Sequence, residues 1–113
     1  MLFAREGAKV LAVDIDLDAA LETKQIVEVE RGICEAVSVD VSSAADVAAV
    51  VDACIASFGR IDVLHNNVGI VEVGGPVDTT EESWDRVNDV NLTSMFLTCK
   101  HVLPHIERQG KGT

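Results

Sequence analysis

A chain of 113 residues, 48% of them hydrophobic, is long enough for one small domain with a buried core, and this composition excludes a disordered segment. A formal net charge of −10 argues against nucleic acid or an anionic membrane as a partner, since both bind basic surfaces. Three cysteines without metal-type spacing favour reduced thiols and a cytoplasmic protein, and no apolar run approaches the roughly 20 residues of a membrane span.

The first predicted strand is the apolar run Lys9–Asp14, which ends in a carboxylate. A short helix that ends at Gly7 precedes it. A second helix over residues 17–31 follows, and Asp16 is its predicted N-cap. Because Asp16 is the better placed cap, Asp14 has two interpretations: a surface acid, or a carboxylate that accepts hydrogen bonds from a ribose diol.

The second predicted strand, residues 35–39, is again apolar and again followed by a carboxylate, Asp40. Ser43 is the predicted N-cap of the next helix, which ends at Gly59. An acid in this position is often only a turn residue, so Asp40 alone is a weaker indication of a site than Asp14.

The third predicted strand, residues 61–65, leads into Asn66-Asn67-Val68-Gly69. Asparagine is depleted in strands because its amide competes for backbone hydrogen bonds. An amide both donates and accepts, so it can hold a loop and a sugar hydroxyl at once, and a glycine lets the main chain approach a ligand.

A long helix is predicted from about residue 81 to past residue 101, with Thr79 in a capping box and a kink or an end at Pro104. Its spacing predicts one inner face, made of Trp84, Val87, Asn91, Met95, Thr98 and Val102. Asn91 is a polar group on that face. It either serves a ligand site or is a satisfied core amide that ties helix to strand.

Alternating strands and helices, with strands apolar on both sides, predict an α/β fold with a doubly wound parallel sheet. Ligands of such sheets bind beyond the carboxyl ends of the strands, which here are Asp14, Asp40 and the asparagine pair Asn66 and Asn67. His101 and His105 lie one helical turn apart but lack a third ligand, so no metal site is predicted.

Four collinear segments resemble the short-chain dehydrogenase/reductase family: REGAKVLAVDID, VDVSS, HNNVG and WDRVNDVNLTSMFLTCKHVLPHI. The resemblance covers nearly the whole chain and identifies residues 1–113 as part of a Rossmann-like NAD(P)-binding domain, containing strands two to four of the family fold. It implies an oxidoreductase that transfers a hydride between NAD and an alcohol or ketone, with NADP less favoured, in a full-length protein that is a homo-oligomer.

The resemblance also implies the roles of individual residues. Asp14 would bind the adenine ribose hydroxyls, and Asp40 the adenine amino group, with the Val41 backbone beside it. Asn66 would contact the adenosine ribose. Asn91 would be the catalytic asparagine, whose helix backbone holds a water of the proton relay. The remaining residues assigned to the coenzyme site by resemblance are Asn67, Val68, Gly69 and Val90.

The chain departs from the family pattern in three respects. Val68 stands where the family has alanine, and the chain has neither the glycine-rich turn nor the serine and Tyr-x-x-x-Lys pair. We therefore expect an internal fragment that is inactive alone. Two alternatives are a fragment of an adenosyl-methionine methyltransferase, which HNNVG does not favour, and a non-catalytic truncated homologue that pairs with a full-length one.

Overall fold

Two parallel strands and five α-helices make up the fold, and the computed structural model describes all 113 residues. In chain order the elements are α1 (Leu2–Arg5), β1 (Lys9–Asp14), α2 (Leu17–Val29), β2 (Ile33–Ser38), α3 (Ala44–Phe58), α4 (Glu81–Asn88), a π-turn (Asp89–Thr93) and α5 (Ser94–Gln109). β1 and β2 pair in parallel, with Asp14 opposite Ser38. Strands and helices alternate in the first half of the chain and the two strands are parallel, which confirms the predicted α/β class.

Side-chain caps set the first residues of the helices. Asp16 and Ser43 each accept a hydrogen bond from a backbone N–H in the first turn of the following helix, which confirms both predicted N-caps. The cap of α4 is Thr80, one residue after the predicted Thr79. Thr79 instead donates its hydroxyl proton to the Gly75 carbonyl at 3.0 Å, so it stabilises the preceding turn.

Residues 61–65, predicted as the third strand, form no strand, and the sheet consists of β1 and β2 alone. The prediction is wrong here because a strand requires a paired neighbour, and nothing pairs this segment with β1. Its backbone partner is Thr113, whose N–H donates to the Asp62 carbonyl at 2.9 Å while the Leu64 N–H donates to the Thr113 carbonyl at 2.8 Å. These two bonds follow the pattern of a parallel pair.

The buried side chains form two separate clusters. One lies between the sheet, α1 and α2 and contains Ala4, Val27 and Cys34. The other joins α3, α5 and the segment between them and contains Val51, Ile61, Val102 and Ile106. No backbone pairing joins β1 to residues 61–65.

The chain exposes more surface than a close-packed protein of its mass. Its accessible area is 7708 Å², whereas about 6,000 Å² is typical for a monomer of this mass. The radius of gyration is 15.5 Å, against about 13 Å for a compact domain of this length. The residues therefore adopt the local fold of a domain without the burial that stabilises one.

The long predicted helix is present, but it is divided by the π-turn and continues through Pro104 to Gln109. The predicted inner face is wrong at Trp84, which is 64% exposed, and at Met95, which is 39% exposed. A π-turn holds more residues per turn than an α-helix, so positions after it, such as Met95, are rotated about the axis relative to a regular helix. Trp84 precedes the π-turn, which therefore does not explain its exposure. The buried positions of α5 are Ser94, Leu97, Val102 and Ile106. No helix has the combination of length and apolar character needed to cross a membrane.

Candidate functional site

A cleft of about 90 Å³ lies at the carboxyl ends of β1 and β2. Of the residues predicted for the site, five line it: Asp14, Asp40, Val41, Val68 and Val90. Ile15, Val39, Ile70 and Arg86 complete the lining. The cleft therefore combines mainly aliphatic walls with two carboxylates and one guanidinium group.

One carboxylate oxygen of Asp14 is used inside the chain and the other is available. Oδ1 accepts a hydrogen bond from the Asp16 backbone N–H at 3.0 Å, which holds the side chain at the end of β1. Asp16 itself caps α2, as the sequence predicted. Oδ2 of Asp14 has no hydrogen-bond partner in the chain and can accept a bond from a ligand hydroxyl.

Asp40 is held by its neighbour Ser42. The Asp40 Oδ1 atom accepts hydrogen bonds from the Ser42 hydroxyl at 2.6 Å and from the Ser42 N–H at 2.9 Å. These two bonds, with a smaller contribution from the positive charge of Arg86, lower the pKa of the Asp40 carboxyl from its ordinary value. Asp40 is therefore ionised at neutral pH, and its Oδ2 is an available acceptor beside the Val41 backbone.

The asparagine pair lies outside the cleft lining. Asn66 faces α5, where its Oδ1 accepts a hydrogen bond from the Thr98 hydroxyl at 2.8 Å and its Nδ2 lies 3.9 Å from the Cys99 sulfur. Asn66 and Asn67 are both exposed. The amide donors of Asn66 therefore have at most one weak partner and can reach a ligand that extends beyond the cleft.

Asn91 ties the helix to the loop that follows Gly69. Its Oδ1 accepts from the Ile70 N–H and its Nδ2 donates to the Ile70 carbonyl, both at 2.8 Å. A Cβ atom on Gly69 would lie 3.4 Å from this Oδ1, in ordinary van der Waals contact with the Asn91 amide. The side chain thus behaves as the satisfied amide that was one of the two interpretations of Asn91. Because Ile70 lines the cleft, Asn91 also fixes one of its walls.

The backbone of Asn91 lies at the centre of the π-turn Asp89–Thr93. The Ser94 hydroxyl donates to the Val90 carbonyl. A side chain thus satisfies a carbonyl within this irregular part of the helix. Single π-turns inside helices are frequent at functional sites, because they redirect backbone groups.

Arg86 is the cleft residue that the sequence analysis missed. It lies on α4 one helical turn before Val90, so the two side chains share a face. The i, i+4 spacing from Val90 is the sequence feature that indicates Arg86 as a cleft residue. Arg86 was not predicted because a charged residue on a helix usually lies on the solvated face.

A second void, of about 330 Å³, lies between β2 and α3. It is larger, but its lining contains a single carboxylate and otherwise small or aliphatic side chains: Val37, Ser38, Val39, Asp46, Ala49, Val50 and Ala53. We assign the candidate site to the smaller cleft because that cleft holds the convergent polar groups that recognise a ligand.

The family model and the known proteins compared below are described as reductases, dehydrogenases or oxidoreductases. A family model described as enoyl-(acyl carrier protein) reductase matches residues 1–113. The 3beta-hydroxysteroid dehydrogenase 1 of Eggerthella lenta is 42% identical over 113 residues, which is 97% of this chain and 43% of that enzyme. The chain thus spans less than half the length of this relative.

Two solved structures are similar over almost the whole chain. One is described as a short-chain dehydrogenase/reductase from Burkholderia xenovorans, with a TM-score of 0.94, 43% identity, and coverage of 98% of this chain and 42% of that one. The other is a metagenomic short-chain oxidoreductase in complex with NADP, with a TM-score of 0.93, 27% identity, and coverage of 97% and 50%.

Proposed function

Because the chain belongs to the short-chain dehydrogenase/reductase family, we propose that it forms part of the coenzyme site of an oxidoreductase acting on an alcohol or ketone. The observation that carries the proposal is the cleft, since it brings together five residues assigned to that site from the sequence alone. Nothing in the cleft or among the relatives favours a methyltransferase. The proposed coenzyme is NAD.

The cleft residues fit the adenosine end of a nicotinamide coenzyme. The aliphatic walls, including Val41 and Val68, suit the flat faces of adenine. The available oxygen of Asp40 accepts a hydrogen bond from the adenine amino group, and that of Asp14 accepts from the ribose hydroxyls. Asn66 donates from its amide to the same ribose, while its Oδ1 stays on Thr98. When bound, the nicotinamide ring of the coenzyme supplies the hydride chemistry.

Asp14 is the basis for NAD rather than NADP. The additional phosphate of NADP would lie beside this carboxylate. Two like unit charges about 4 Å apart at an effective dielectric constant of about 20 repel by up to about 4 kcal/mol. After screening, a preference of about a hundredfold remains, since each ~1.4 kcal/mol is a factor of ten.

We assign Asn91 to the proton relay through its backbone, which the π-turn redirects. Its side chain keeps the turn in place by holding Ile70. In this assignment Asn91→Leu abolishes most turnover and lowers coenzyme affinity much less, because Asn91 does not itself line the adenosine cleft and reaches it only through Ile70.

The test uses a graft protein, in which residues 1–113 replace the matching segment of the Eggerthella lenta enzyme. The host supplies the segments of its own chain on either side, and the assay uses a 3beta-hydroxysteroid as substrate. We expect dehydrogenase activity with a kcat/KM for NAD about a hundredfold above that for NADP.

In the graft protein, Asp14→Asn should reduce the coenzyme preference by at least about tenfold, because it removes the charge but keeps the shape. Asp18→Asn, on the exposed first turn of α2, is the matched control and should leave the preference unchanged. Equal kcat/KM values for the two coenzymes before any substitution would refute the role of Asp14. A folded graft protein that binds neither coenzyme would refute the proposed function.

A further inference from the structure

Arg86 is the single cation in a cleft with two carboxylates. It lines the same cleft as Asp14 and Asp40, and it is contributed by α4. Like most Lys and Arg residues of the chain, it makes no ion pair; the ion pairs involve Arg5, Lys24 and Arg60. Its guanidinium group makes no hydrogen bond within the chain either, so all five of its donors are available.

The charge of Arg86 changes what the cleft can accept. The two carboxylates alone would give the cleft a formal charge of −2, and Arg86 reduces it to −1. The positive charge of Arg86 also makes a small contribution to the lowered pKa of the Asp40 carboxyl, as expected for a guanidinium group near that carboxylate. A phosphate on the ribose held by Asp14 would therefore be repelled by one wall and attracted by the other.

We propose that Arg86 is a specificity-determining residue, which weakens the discrimination against NADP that Asp14 imposes by supplying a charge partner for a 2′-phosphate. The proposal rests on the proposed coenzyme function of the cleft. It makes the coenzyme preference a property of two residues of opposite charge, Asp14 and Arg86.

The experiment measures the ratio of kcat/KM for NAD to kcat/KM for NADP in the graft protein. Arg86→Gln should raise the ratio about fivefold, equivalent to about 1 kcal/mol, chiefly by lowering kcat/KM for NADP. Arg86→Lys keeps the charge and should stay within about twofold of the parent. Arg108→Gln is the matched control, because Arg108 lies on α5 beside His105 and outside the cleft, and it should not change the ratio.

Binding of 2′,5′-ADP and of 5′-AMP provides a second measurement that does not depend on turnover. Arg86→Gln should weaken 2′,5′-ADP about fivefold and leave 5′-AMP nearly unchanged. A purely structural role would weaken both ligands equally, and that result, or an unchanged ratio, would overturn the proposal. The two hypotheses fail separately: an effect of Arg86→Gln without one of Asp14→Asn refutes the role of Asp14, and the reverse refutes the role of Arg86.

Discussion

Replacing Asn91 by leucine tests whether the helix-to-loop tie holds the site together. Asn91→Leu keeps a similar volume but removes two hydrogen bonds of 2.8 Å to Ile70. Each bond contributes a net of about 1 kcal/mol, and leaving the part-buried N–H and carbonyl of Ile70 unpaired adds up to about 1 kcal/mol each. The expected loss is therefore about 2–4 kcal/mol in the free energy of unfolding. This is a large share of the roughly 5–15 kcal/mol that stabilises a domain.

The assay is urea unfolding of the graft protein, with the free energy extrapolated to water. Asn88→Leu is the matched control, since Asn88 makes one exposed hydrogen bond at 2.8 Å to Trp84 within its own helix. We expect that control to cost less than about 1 kcal/mol. If the two variants unfold at the same urea concentration with equal slopes, the tie contributes no stability and the reasoning is refuted.

Three further outcomes follow from the contacts described above. Ser42→Ala should lower the free energy of unfolding of the graft protein at neutral pH. This loss of stability should vanish as the pH falls through the lowered pKa of Asp40, because the carboxyl then loses the charge that Ser42 stabilises. A loss of stability that does not depend on pH would contradict this. Gly69→Val should lower unfolding stability by about 1 kcal/mol, because its methyl groups extend beyond a Cβ position that already contacts the Asn91 amide at 3.4 Å. Gly74→Val, whose Cβ has its nearest neighbour at 3.7 Å, should cost less. The 113-residue chain alone should show no cooperative thermal transition and no dehydrogenase activity, since its core is divided into two small clusters; a sharp transition with micromolar NAD binding would contradict this.

Local chemistry explains which parts of the fold were predictable from the sequence. The apolar runs that became β1 and β2, and the caps Asp16 and Ser43, depend on neighbours close in the chain. Residues 61–65 have the composition of a strand, but pairing depends on backbone elsewhere, and the pattern of one segment cannot supply it.

The part of the site that lies at the strand ends was predictable from the sequence, and the part on α4 was not. Asp14 and Asp40 lie at strand ends, where parallel-sheet geometry brings them together. Arg86 and the outward position of Trp84 depend on how α4 is rotated about its axis. The positions after α4 depend in addition on the π-turn, which has no clear signature in the residue types of Asp89–Thr93.

The π-turn also makes one part of the last helix tolerant of a deletion. Its wider turn holds one residue more than an α-helical turn, so deleting one residue within Asp89–Thr93 would restore regular winding and leave α5 facing nearly the same way relative to α4. Val102 and Ile106 would then stay in their cluster. A deletion in the regular part of α5 before Val102 would instead turn all following positions by about 100° and take both side chains out of that cluster.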